Sequence, residues 1–265
     1  MNYGTHLATS GVLVSMRRMD VIANNLANTN TVGFKSDFLL AAERPAERVE
    51  GLSTFTDPLA PPKEMLERLG GGLRFEQDRV RLGQGSLERT DLPTDLALRG
   101  EGFFVVAPAK GGRPDPKAPS ELTRAGNLSI DSDGTFRLIG SGRALIGENG
   151  EPVRIDPSRT FVVDREGRVF QNETEVARFR IVKPRNPASL EKAGANLFRT
   201  GQPVDRITDG STEVEQHMLE QSDANPIEAM TSLMRESRML EANIRMMQYQ
   251  DNLTGQAITG ITRNA

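Results

Sequence analysis

Cysteine and tryptophan are absent from these 265 residues, and only two histidines and two tyrosines occur. Without cysteine there is no disulfide framework, thiol nucleophile or cysteine-based zinc site. A cysteine-free chain also suits passage across a membrane in unfolded form. His6 and His217 stand far apart, outside any metal-ligand spacing, and read as surface or interface residues, so no metal and no cofactor is expected. Aromatic residues make up 5% of the chain, too few and too scattered for a carbohydrate or single-strand platform. Lys and Arg total 33 against 36 Asp and Glu, so no basic excess points to nucleic acid or to an anionic membrane. No apolar run approaches the ~20 residues of a membrane span. Met1 to His6 lacks the basic and apolar regions of a cleavable leader, so any export is expected to use an uncleaved signal.

What is present is a contrast between the two ends and the middle. Ala8, Val12, Met16, Met19, Ala23 and Leu26 recur at steps of four and three, one face of a helix that should stop in Asn28-Thr29-Asn30-Thr31-Val32-Gly33. Near the other end, Asn225-Pro226-Ile227-Glu228 is an N-cap, an N1 proline and an acidic first turn. Met230, Leu233, Ser237, Leu240, Ile244, Met247, Asp251, Thr254, Ile258 and Ile261 then form a heptad seam. Such a helix would be about 50 Å long at 1.5 Å per residue. Ser237, Asp251 and Thr254 weaken that seam and the methionines are adaptable, so it is a poor private dimer zipper.

Between the ends, residues 37–72 read as an extended loop with four prolines and a triple glycine, and with a short helix over 63–69. From 73 to 219 short apolar runs alternate with turn dipeptides. Asp133-Gly134 precedes Thr135–Leu138, Asn149-Gly150 separates Ala144–Ile146 from Val153–Ile155, and Phe161–Val163 faces Arg168–Phe170 across Asp164–Gly167. Ala177–Ile181 alternates apolar residues with arginines, and 111–119 reads as a surface loop. These are hairpin signals in series. The fold class is therefore α+β: residues 1–36 and 220–265 supply the two helices of a discontinuous coiled-coil α-domain around an antiparallel β-rich domain. Two helices cannot cover both of their apolar faces, so copies from other subunits would have to complete them.

Catalytic and ligand signals are weak. Gly100-Glu101-Gly102 lacks the third glycine of a dinucleotide loop and leads into a strand-like Phe103–Val106, so it reads as a tight turn. Asp131-Ser132-Asp133-Gly134 begins like a calcium loop, but Gly142 stands where the closing glutamate belongs, which leaves a hairpin turn. Asp91 with Asp95, Asp131 with Asp133, and Glu213 with Glu215 could pair only if a cleft brought them together. A secreted carbohydrate- or peptidoglycan-binding or hydrolytic β-domain is therefore the alternative reading. A small coiled-coil adaptor would account for the heptads alone.

The informative string is Ile22 to Lys35. Asn24, Asn25, Asn28 and Asn30 are costly at a helix end, and amides bonding across a subunit interface would account for them. Asn24 to Phe34 resembles the Asn-Asn-Leu-Ala-Asn…Thr-x-Gly-Phe signature of the flagellar basal-body rod and hook family. The likeness continues in Asp95–Val106, Leu122–Asn127, Leu190–Phe198 and Leu219–Pro226, with Asp223 where the family usually has Asn.

This resemblance implies a non-enzymatic structural subunit of the flagellar rod, part of the drive shaft for motility. It would be exported by the flagellar type III apparatus and assembled helically in the periplasmic rod. Its partners would be further copies of itself, other rod subunits and the hook. The assembly interface would include Val12, Met16, Met19, Ala23, Asn24, Asn25, Leu26 and Asn28, with Met230, Leu233, Leu240, Ile244, Met247 and Ile258. Phe34 and Phe38 resemble the family's export-gate signal. The Glu43–Leu52 stretch looks more like the proximal-rod type than the distal one.

Overall fold

The computed structural model describes residues 3–43, 72–75, 78–107, 109–110, 113–114, 121–207 and 210–263. The expected short helix over 63–69 and the Glu50-Gly51-Leu52 stretch lie outside the described residues. The chain forms two compact units. One takes the described residues of Met1–Asn24, Phe38–Asp78 and Ile227–Ala265, and the other takes those of Asn25–Asp37 and Arg79–Pro226.

The first unit is built on helix α1, Tyr3–Ala27, and helix α2, Pro226–Arg263. Helix α1 stops where asparagines and Gly33 were expected to stop it, and Pro226 opens α2, where its missing N–H is harmless. The two run antiparallel and meet in steps of seven residues along α2. Thr5 Oγ1 donates to Gln250 Oε1 at 3.2 Å, a Cβ on Gly11 would lie 3.0 Å from Asn243 Nδ2, and Arg18 pairs with Glu236 at 3.6 Å. The strand Ala41–Glu43 pairs antiparallel with Leu73–Phe75, so the two stems of the expected loop are held together.

The expected seam is rotated. Leu233, Leu240, Met247 and Thr254 are half-buried, but Asn243 and Gln250 take the contact positions expected for Ile244 and Asp251. Met230 and Ile244 are exposed. A straight helix drifts about 20° per heptad from an ideal 3.5 repeat, and Gly4 and Gly11 make room for long amides rather than for apolar knobs.

The second unit is antiparallel β structure. A nine-stranded sheet is centred on Phe103–Ala107, which pairs with Glu121–Thr123, Ala144–Leu145 and Ile181–Pro184. Every residue of Phe103–Ala107 is buried. Phe104 and Val106 enter one core with Leu96, Leu98, Phe136 and Phe179, while Phe103 and Val105 enter another with Leu122, Val182 and Phe198. A strand covered on both faces has no polar alternation, which is why this run reads as continuously apolar. Edge-to-face ring pairs at 5.4–6.0 Å link Phe161, Phe136, Phe179 and Phe104, so the few aromatics are concentrated in the core.

The expected hairpins form. Leu128–Ile130 pairs with Phe136–Leu138 around Gly134 (φ 76°), and Val162–Val163 pairs with Arg168–Gln171. The expected single run 177–181 is divided: Thr174–Arg178 belongs to a three-stranded sheet and Ile181 to the large one. Gly100 (φ 109°) makes the tight turn before Phe103, and a Cβ there would lie 2.5 Å from Ser211 O.

Candidate functional site: a buried clasp and an outward helical face

The signature segment after α1 is built into the β unit. Asn25, in the last turn of α1, donates its Nδ2 to Asp37 O at 2.7 Å and accepts from Asp37 N at 2.9 Å. This two-way amide bridge closes the loop 28–36 and gives Asn25 a function inside the chain. Asn28 Oδ1 accepts from Thr31 Oγ1 at 3.1 Å. Gly33 adopts φ 66°, and a Cβ there would lie 2.4 Å from Ala125 N. Only glycine satisfies both the backbone angle and that approach.

Lys35 is the centre of the clasp. Its Nζ lies 2.5 Å from Glu220 Oε1 and 2.7 Å from Gly83 O, and both the lysine and glutamate side chains are 0% exposed. Arg124 Nη1 reaches Glu220 Oε2 at 3.2 Å, Arg124 Nη2 reaches Gly100 O at 2.7 Å, and Gly85 N donates to Glu220 Oε1 at 2.9 Å. Burial lowers the Lys35 and Arg124 pKa values from their ordinary positions, against the opposing pull of the Glu220 charge. Asp223 completes the contact, accepting from Ser36 N at 2.6 Å and from Ser36 Oγ at 3.1 Å. An aspartate serves this double acceptance where the family pattern has Asn.

The hairpin Leu190–Gly194 with Leu197–Thr200 holds the same segment from another side. Asn196 Nδ2 donates to Val32 O at 3.0 Å, and Asn196 O accepts from Thr123 Oγ1 at 2.9 Å. Lys192 Nζ lies 4.0 Å above the centre of the buried Phe34 ring and 2.6 Å from Asp37 Oδ2. Residues 31–37, 122–127, 190–198 and 219–223, read from the sequence as separate motifs, therefore meet around one loop. No local sequence pattern announces the pairing of Lys35 with Glu220, because nothing in the chain's spacing joins positions so far apart.

The interface residues expected on the helices divide into two groups. Val12, Met19, Asn25, Leu26, Asn28, Leu233, Leu240 and Met247 are half-buried, whereas Met16, Ala23, Asn24, Met230 and Ile244 are exposed. The side chain of Ile258 is outside the described set. Much of the outer arc of α2 is apolar, with Met234, Met239, Met246, Tyr249 and Leu253 between Arg235, Arg238 and Arg245. Methionine and arginine are the residues that association surfaces favour. Of the expected export pair, Phe34 is buried and Phe38 is 37% exposed.

Three of the carboxylates considered for catalysis have structural partners. Asp131 pairs with Arg137 at 2.9 Å, Asp133 accepts from Thr135 N at 3.1 Å, and Glu215 pairs with Arg99 at 2.6 Å. Asp95 is buried and forms a bridge pair with Asn127. No group of three or more His, Asp or Glu suited to a metal ion occurs among the described residues, and no described helix is long and apolar enough to cross a membrane.

A β unit stapled by an internal ion cluster and a helix pair with an apolar outer arc are, each by itself, features of a structural protein rather than of a catalyst. Comparison with known proteins gives the particular class. The family described as "Flagella basal body rod protein" matches residues 15–35, and "Flagellar basal body rod FlgEFG protein C-terminal" matches residues 215–259. The chain is 29% identical to the flagellar basal-body rod protein FlgF of Caulobacter vibrioides over 97% of both chains. It is 28% identical to FlgG of Borreliella burgdorferi over 94% of each chain, and 25% identical to FlgG of Bacillus subtilis over 92% of this chain and 93% of that one. The chain belongs to the flagellar basal-body rod protein family, as a non-enzymatic structural component of the rod.

Proposed function

We propose that this rod subunit assembles helically, with copies of itself and with other rod subunits, through the outer arc of its terminal helices. The observation that carries this reading is the run of exposed apolar side chains on α2: Met230, Met234, Met246 and Tyr249 are each more than half exposed on a helix whose opposite face is occupied by α1. An apolar arc of that length is covered in the working state of a soluble subunit. On this reading the periplasmic rod of the proximal type is its place, with the hook further along the axis. The type III apparatus reads Phe34 and Phe38 before folding buries Phe34.

The test is Met234→Glu with Met246→Glu in the full chain. Secretion and the fold of the β unit are expected to be kept, while incorporation into basal bodies and motility are lost. Wild-type motility in that double variant would falsify the assembly reading. Electron microscopy of basal bodies with the subunit tagged is expected to place the label in the proximal rod.

A further inference from the structure

The chain has ten methionines and no cysteine, so thioethers are its only sulfur. Among the described residues, Met16, Met230, Met234, Met239 and Met246 are 51–56% exposed, and all five lie on the two terminal helices. Met19, Met218 and Met247 are half-buried, and Met247 Sδ lies 4.0 Å from Thr9 Oγ1 between the helices. Met218 is the only described methionine of the β unit. Among the described residues, the exposed thioether sulfur is therefore gathered on the outer arc of the helices.

We propose that Met16, Met230, Met234, Met239 and Met246 form a peroxide-sensitive modification site whose oxidation blocks assembly of the free subunit. The effect on assembly rests on the reading given above; the site itself does not. A sulfur lone pair attacks one oxygen of hydrogen peroxide, the O–O bond breaks, and the departing hydroxide takes the proton from the transferred oxygen and leaves as water. Each sulfur loses two electrons to the peroxide and becomes a sulfoxide. The flexible apolar side chain then carries a strong acceptor, which an apolar contact would have to bury without a donor. Enzymatic reduction of the sulfoxide would restore the surface. Once covered by neighbours, the same sulfurs would be shielded, so the unassembled chain is the vulnerable form.

The test is a hydrogen peroxide time course on the full-length chain, read by peptide mass spectrometry and by sedimentation. The five outer methionines are expected to oxidise about fivefold or more faster than Met19, Met218 and Met247. Oxidation is expected to raise the concentration at which the chain sediments as polymer by about tenfold. The variant M16L/M230L/M234L/M239L/M246L should polymerise like the untreated chain and keep doing so after peroxide. Equal oxidation rates at all eight sulfurs would overturn the site. Selective oxidation with unchanged sedimentation, or loss of assembly in peroxide-treated Leu variant, would overturn its effect on assembly. Failure of the untreated chain to polymerise would count against the assembly reading, while the oxidation map would still decide the site.

Discussion

Glu220 accepts from two cations and one backbone N–H while its side chain is wholly removed from water. Such a cluster adds little net stability compared with a well-packed apolar one, but it is costly to break. Glu220→Gln is expected to lower the stability of the β unit by about 3–5 kcal/mol, because Lys35 and Arg124 lose their counter-charge in a dry site. Urea unfolding followed by circular dichroism would measure this, and exchange of the Phe34–Ser36 amides should accelerate first. A loss under about 1 kcal/mol would show that the cluster is less dry than its burial indicates.

At the scale of elements, the helix pair depends on small residues. Gly4 and Gly11 lie under Gln250 and Asn243, one heptad apart, and a Cβ at Gly4 would come within 2.2 Å of Gln250 Nε2. Gly11→Leu places a branched side chain against the Asn243 amide and should part the helices. Alanine there would be far milder, since its gain of about 1 kcal/mol in helix propensity offsets part of the crowding. The leucine variant is expected to lose exchange protection along Leu240–Gln250 while the β unit keeps its own. Undiminished protection in α2 would refute this register. The heptad rule read the length and start of α2 correctly and placed Leu233, Leu240, Met247 and Thr254 on the contact side, but it put Ile244 and Asp251 where Asn243 and Gln250 stand. Apolar periodicity does not reveal that glycines on the partner can admit amides.

At the scale of the molecule, the β unit takes its residues from two stretches, Asn25–Asp37 and Arg79–Pro226, and the clasp ties 31–37 of the first to 219–223 of the second. Gly33 N donates to Glu220 O at 2.7 Å, beside the Lys35–Glu220 pair. The β unit thus holds its own closing contacts, and residues 25–37 fold with it. Deletion of residues 227–265 is expected to leave its cooperative unfolding within about 1 kcal/mol of the full chain, with assembly abolished. Loss of the β unit's transition in that truncation would show that α2 is required for its fold. A deletion from the other end should stop at residue 24, because removing Asn25 takes away the bridge to Asp37.

Local chemistry alone determined the end of α1, the start of α2, the hairpin turns at Gly134 and Asp164–Gly167, the doubly buried strand Phe103–Ala107, and the lack of cysteine that leaves methionine as the sulfur exposed to oxidants. Each depends on near neighbours: a missing N–H, a positive φ, or an alternation of side chains. Tertiary structure alone decided that the scattered motifs close around Lys35, that Asn25 bridges to Asp37, and that Asn243 rather than Ile244 lies over Gly11. These outcomes depend on which distant backbone comes close enough to desolvate a charge or admit an amide, and spacing along a single chain carries no record of that.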